Sequence, residues 1–320
     1  VSKSIKNINS GKKQTIMQKF EGLIAAPFAP FNGAGEIMTE AIPGYCEFLE
    51  KNKVVGAFIN GSTGEGVSLS MKEKMVVTEA WTAAARHKSI KIINLVGGTS
   101  YRESAEAAIH SAEAGVDAIA ILAPYYFKPA GAPQLAEFCA RIAETVPQLP
   151  VYFYHIPVLT GCYVSMYDFL KEASAMIPNL AGIKYTHEDF MDFLSCIHFQ
   201  EGEYDMMWGR DENMLSALVL GCRSGVGSTF NYAAPLYYAL IDAFDKGDLV
   251  TARRLQQQSI DMIRLLGKYG GIATGKAYMK YLGFDFGGFR LPVKNMTAGM
   301  YDKFKGDVQA LQMEHLFSKR

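Results

Sequence analysis

The chain contains nothing that approaches the ~18 uninterrupted apolar residues of a membrane-spanning helix. It also has no excess of charge: 32 lysines and arginines balance 32 aspartates and glutamates. That balance argues against a nucleic-acid or polyanion partner. Cysteine is scarce, with Cys46, Cys139, Cys162, Cys196 and Cys222 widely spaced and no CxxC pair. Five such residues argue against structural zinc and a disulfide scaffold, and fit a reducing, cytoplasmic setting. No full GxGxxG fingerprint follows the first apolar run, which disfavours an open dinucleotide-binding sheet. The GVGS at 225–228 is a lone GxG after the last apolar run and reads as barrel packing. His, Cys, Asp and Glu nowhere recur at metal-ligand spacing. No metal and no cofactor is expected.

What is present is an alternation. Short apolar runs occur at 22–28, 55–60, 91–96, 117–123, 151–157, 180–184, 204–208 and 224–230. Between them lie amphipathic stretches. Residues 70–87 place apolar side chains at helical spacing behind a Ser70 cap. Residues 102–114 are alanine-rich. Residues 211–221 begin with acids where a helix dipole favours them. Eight strand–helix units predict parallel strands joined by right-handed crossovers. At about 30 residues per unit, closure into an α/β (β/α)8 TIM barrel follows. The barrel is expected over 17–235, with 236–320 a helical extension packed on it or against another subunit. The basic, polar residues 1–16 are read as a leader or disordered tail and set aside.

Barrel sites lie at the C-terminal ends of strands, which shortens the list of candidates. The sixth run carries Lys184 in LAGIKYT. Lysine is depleted in strands and rarely buried without a partner. In an apolar pocket it loses its charge and becomes a nucleophile for a carbonyl. Tyr154, on the neighbouring fifth strand about 4.8 Å away, can face the same pocket as a proton shuttle. His155, next in line, should point to the opposite face. Ser62 and Thr63, between the glycines of GSTGEG, suit a carboxylate or carbonyl oxygen, with Glu65 a helix-side acid of that turn. Asp211 and Glu212 can accept hydrogen bonds from a polyol. The plain readings of these residues are a solvated strand lysine, a core tyrosine, a glycine turn and a helix N-terminus. Together, without a metal or phosphate motif, they suggest Schiff-base chemistry on a 2-oxo acid.

Four motifs in this order resemble one family. GSTGEG at 61–66, YHIPVLTG at 154–161, GIKYT at 182–186 and GSTFN at 227–231 are similar to the N-acetylneuraminate lyase / dihydrodipicolinate synthase family of pyruvate-dependent class I aldolases. The resemblance spans about Gly22 to Met296. It implies that Lys184 forms the Schiff base with pyruvate, that Tyr154 transfers protons, and that Ser62 and Thr63 bind the 2-oxo acid carboxylate. It also implies that Tyr126 reaches a neighbouring subunit's site, within a homotetramer. Leu159 stands where the synthases usually carry an arginine for a second carboxylate. The run Gly209, Arg210, Asp211, Glu212, with Thr186 and Ser228, resembles the lyase positions that bind the polar groups and glycerol tail of sialic acid. The expected activity is therefore cleavage of N-acetylneuraminate. A 2-keto-3-deoxy sugar acid aldolase, the synthase, and a non-catalytic sugar-acid binder are the alternatives.

Overall fold

The computed structural model describes residues 19–320. The reading of 1–16 as a tail lies outside the described residues. Eight strands form a closed parallel barrel in sequence order. They are β1 (Gly22–Ala25), β2 (Gly56–Ile59), β3 (Lys91–Leu95), β4 (Ala118–Leu122), β5 (Val151–His155), β6 (Leu180–Tyr185), β7 (Asp205–Trp208) and β8 (Ser224–Gly227). All eight fall within the apolar runs to a residue or so, because strands buried on both faces read as continuous apolar stretches.

The intervening helices are α1 (Ile42–Lys51), α2 (Met71–Ala85), α3 (Tyr101–Ala114), α4 (Ala132–Ala143), α5 (Pro157–Thr160), α6 (Met166–Met176), α7 (Phe190–His198) and α8 (Met214–Val219). After β8 come α9 (Phe230–Asp245), α10 (Leu249–Tyr269), α11 (Thr274–Tyr281) and α12 (Ala298–Ala310). Ser70 caps α2 through a reciprocal box with Glu73, which fixes that helix start. The boundary placed at 235/236 falls inside α9, which packs on β1 and β8 and takes Pro235 within it at a kink centred on Ala233.

Two apolar layers hold the barrel. Inside it, Ile24, Phe58, Ile93, Leu122, Tyr152, Met207 and Val226 pack together. Outside it, the opposite strand faces meet the helices in one continuous core. The alternation decides which side each strand residue takes. Among the described residues, no helix is long and apolar enough to cross a membrane.

Candidate active site

Strand register brings the two central candidates together. Tyr154 of β5 pairs directly with Lys184 of β6. Directly paired residues of parallel strands project to the same face, and here both enter the barrel. The Lys184 amine lies 3.9 Å from the Tyr154 ring centroid and 3.8 Å from that of Phe58 on β2. Phe58 and Tyr154 meet edge to face with centroids 5.4 Å apart. Lys184 is 4% exposed, and burial pushes its amine down to about 7, with the nearby Asp211 charge opposing the fall. Burial works the other way on Tyr154, pushing its phenol up to about 12 against the neighbouring Ser62 and Thr186 hydroxyls. At rest, the tyrosine is a proton donor beside a lysine that is only partly charged at neutral pH.

A cavity of about 240 Å³ opens above this pair. Ser62, Thr63, Tyr154, Lys184, Gly209, Asp211, Glu212 and Ser228 all line it, from five strand ends. Leu159 lies at its rim, 63% exposed. Lys184 is the one cationic side chain among the described lining residues. Thr186 stands just behind the wall. Its Oγ1 is buried without a partner at hydrogen-bonding geometry, although it lies close enough to Tyr154 to favour the phenolate. A Cβ on Gly209 would meet that Oγ1 at 1.9 Å, so only glycine lets the hydroxyl sit there. Tyr126 is not in this cavity; it is 77% exposed, with its ring edge-on to Phe127.

Asp211 and Glu212 differ from the helix-start reading. They occupy a 3-10 turn, Asp211–Asn213, and α8 begins only after it. The Asp211 carboxylate does not cap that helix. Its Oδ2 accepts from the Thr229 backbone N–H at 2.9 Å and from Thr229 Oγ1 at 2.6 Å. Its other edge lies against Gly227, where a Cβ would stand 2.1 Å from Oδ1. Burial pushes Asp211 up to about 7, opposed chiefly by the Thr229 hydrogen bond. Glu212 is bridged by Arg210 at 2.8 Å, and the same guanidinium reaches Glu188 at 3.1 Å. A carboxylate has about four acceptor positions, so both acids keep capacity for ligand hydroxyls.

Glu65 also departs from expectation. The acid that caps α2 is Glu73. Glu65 is instead buried, with its carboxylate on Lys276. His155 packs outside the barrel against the rings of Tyr185 and His187 at 5.0 and 5.6 Å. Burial lowers its imidazole to about 4, so it is neutral. Among the described residues, no His, Cys, Asp and Glu group gathers as a metal-ion ligand set.

Sequence reasoning missed several neighbours. Phe58 was detectable, as an inward-facing strand residue. Thr229 belongs to GSTFN but carried no signal of its contact with Asp211. Behind it, Tyr237 and Ser259 extend a hydroxyl chain at 2.6 and 2.7 Å into α9 and α10. Gln256 of α10 donates to the Asp211 carbonyl at 3.2 Å. Ile263 and Leu266, also on α10, line the cavity. The helical extension is thus part of the cavity wall.

A closed parallel barrel with a desolvated lysine at the mouth and two carboxylates at the end of the adjacent strand has the layout of a carbonyl-binding barrel enzyme. The chain belongs to the dihydrodipicolinate synthetase family, whose sequence model matches residues 19–311. It is 37% identical to the N-acetylneuraminate lyase of Rattus norvegicus over 88% of this chain and 89% of that protein. The solved N-acetylneuraminate lyase of Proteus mirabilis superposes with a TM-score of 0.89 at 35% identity, covering 92% of this chain and 99% of that one. That of Aliivibrio salmonicida gives 0.89 at 34%, covering 92% and 98%.

Proposed function

We propose that this chain is a Schiff-base aldolase that cleaves N-acetylneuraminate to N-acetylmannosamine and pyruvate. The observation that carries the reading is the Lys184 amine, desolvated and in register with Tyr154, beneath a cavity that Asp211, Glu212 and Ser228 also line. The lyase names of relatives that match nearly end to end support it. Ser62 and Thr63 would receive the 2-oxo acid carboxylate. Gly209, Asp211, Glu212 and Ser228 would receive the polar tail; Thr186, expected among them, would bear instead on the Tyr154 phenol from behind the wall.

The proton account follows from the environments. Neutral Lys184 adds to the C2 carbonyl of the open-chain sugar acid. The carbinolamine then loses its hydroxyl as water, taking the Tyr154 proton, and an iminium remains beside a phenolate. The new cation sits against the ring, which offsets the burial that kept the phenol protonated. The phenolate takes the C4 hydroxyl proton as the C3–C4 bond breaks, and the bond electrons pass into the iminium to give an enamine. Tyr154 then protonates C3, and water releases pyruvate and restores the amine and the phenol.

Borohydride trapping of pyruvate should accelerate as pH rises through about 7, because the fraction of neutral Lys184 grows there. Asp211→Asn should move that midpoint lower, since it removes the negative charge that favours the ammonium. Trapping rates measured across neutral pH decide this. A midpoint near the ordinary lysine value of about 10.4 would contradict a desolvated nucleophile.

Substrate choice tests the other wall. Leu159 offers no partner for a second carboxylate, whereas Asp211 and Glu212 offer acceptors to hydroxyls. Sites built around such bonds reject analogues that lack the hydroxyl. N-acetylneuraminate should exceed a 2-keto-3-deoxy hexonate in kcat/KM, and aspartate semialdehyde should be a negligible acceptor. Glu212→Ala should shrink the first ratio by about tenfold, the effect of one lost hydrogen bond to a charged group. A preference for the shorter acid in the wild type would leave only a general pyruvate aldolase.

The proposal includes a homotetramer, supported by the exposed Tyr126 and Phe127 on the β4–α4 loop. Sedimentation of a fully active monomer would overturn it. Five free, buried cysteines support a cytoplasmic setting.

A further inference from the structure

The GSTGEG turn is tied to the far end of the chain by a buried ion pair. Glu65 follows Ser62 and Thr63 in that turn and adopts a left-handed backbone, φ 56°, which a non-glycine residue keeps only when its surroundings hold it. Its Oε1 accepts from Lys276 Nζ of α11 at 3.0 Å. Its Oε2 accepts from the Arg290 backbone N–H at 2.8 Å. The two side chains are 4% and 3% exposed. Lys276 also donates to the Gly288 carbonyl at 2.8 Å, and the rings of Phe31 and Phe289 flank its amine at 4.4 and 4.8 Å. Outward, the Arg290 guanidinium reaches Glu73, the cap acid of α2, at 3.0 Å. The turn is thus gripped by α11 and by the 288–290 segment.

Stability does not account for this arrangement. The cost of desolvating two charges roughly cancels their attraction, and apolar residues of the same volume often serve a fold as well or better. What the pair supplies is geometry. A carboxylate held on both oxygens fixes its own backbone, and that backbone carries the two hydroxyl residues of the cavity. The adjoining Gly66 leaves the turn no slack, since a Cβ there would stand 1.8 Å from the Asn60 carbonyl oxygen.

We infer that Glu65 and Lys276 are positioning residues for the 2-oxo acid carboxylate: they hold Ser62 and Thr63 at the cavity and make α11 a working part of the site. The inference rests on the proposed role of Ser62 and Thr63. It predicts a specific kinetic split. Loosening the turn weakens pyruvate binding, while the Lys184 amine and the polyol wall, held by other elements, keep their own properties.

The test is pyruvate labelling of the full chain with borohydride, read by mass across pyruvate concentrations, together with condensation kinetics. Lys276→Met strands the Glu65 carboxylate in an apolar site and is liable to misfold. The double variant Glu65→Gln/Lys276→Met leaves no unpaired charge and keeps an acceptor for Arg290. In it, half-saturating pyruvate should rise by about tenfold, the order expected for one lost charge-assisted contact. The label at saturation should still reach one per chain, and half-saturating N-acetylmannosamine should change less than about twofold. An unchanged pyruvate requirement in the folded double variant would overturn the inference. So would an equal loss for both substrates, which would mark the pair as a general support of the fold. A wild-type protein that takes no label on Lys184 would remove the aldolase reading, and this inference with it.

Discussion

Lys184→Met is expected to abolish both pyruvate labelling and cleavage while leaving the protein folded. The lysine amine is the group that forms and breaks covalent bonds in the proposed cycle. Removal of a covalent nucleophile costs roughly 10⁴-fold or more, because no other residue substitutes for it. Folding should not suffer. The amine sits between the Phe58 and Tyr154 rings, and burial already disfavours its charge. Methionine is of similar length and removes that cost. The melting temperature should therefore stay level or rise. A combined loss of activity and stability would mean that Lys184 supports the barrel. Persistent labelling would place the Schiff base on another lysine.

Tyr154→Phe should separate binding from turnover. The ring that packs against Phe58 and the lysine is retained, so the pocket keeps its shape. The lost hydroxyl is the proposed carrier of every proton in the cycle. A positioned acid–base group contributes typically about 10²–10⁴-fold, and kcat should fall by that order. Pyruvate should still be trapped on Lys184 at saturation, more slowly, since dehydration of the carbinolamine also uses the phenol. Wild-type kcat in this variant would require another proton carrier. The neighbouring hydroxyls to consider would be those of Ser62 and Thr186.

These expectations draw on parts of the molecule that were unequally visible in the sequence. The barrel was legible because its strands are buried on both faces and so read as apolar runs. The meeting of Lys184 and Tyr154 was legible for a related reason. Both stand near the ends of consecutive strands, and parallel pairing brings such residues to one side. Ser70 was legible as a helix cap, although the acid that completes its box, Glu73, was not.

Contacts between distant segments were not visible. Glu65 looked like an acid of the glycine turn, because its partner Lys276 lies 211 residues away on a helix of unremarkable composition. Asp211 looked like the start of a helix; the hydroxyl that captures its carboxylate, Thr229, is 18 residues on and belongs to the next strand end. The boundary at 235/236 was set by the count of strand–helix units, whereas α9 runs through that point with a kink. The cavity wall supplied by Ile263 and Leu266 had no signature at all, since apolar residues on a long amphipathic helix announce burial and not what they are buried against.

The most direct measurement is product analysis with N-acetylneuraminate, with borohydride added to a parallel sample. The account predicts pyruvate and N-acetylmannosamine in equal amounts, and one reduced pyruvyl group per chain on the peptide that contains Lys184. No cleavage of N-acetylneuraminate, or cleavage in which no label appears on Lys184, would contradict it.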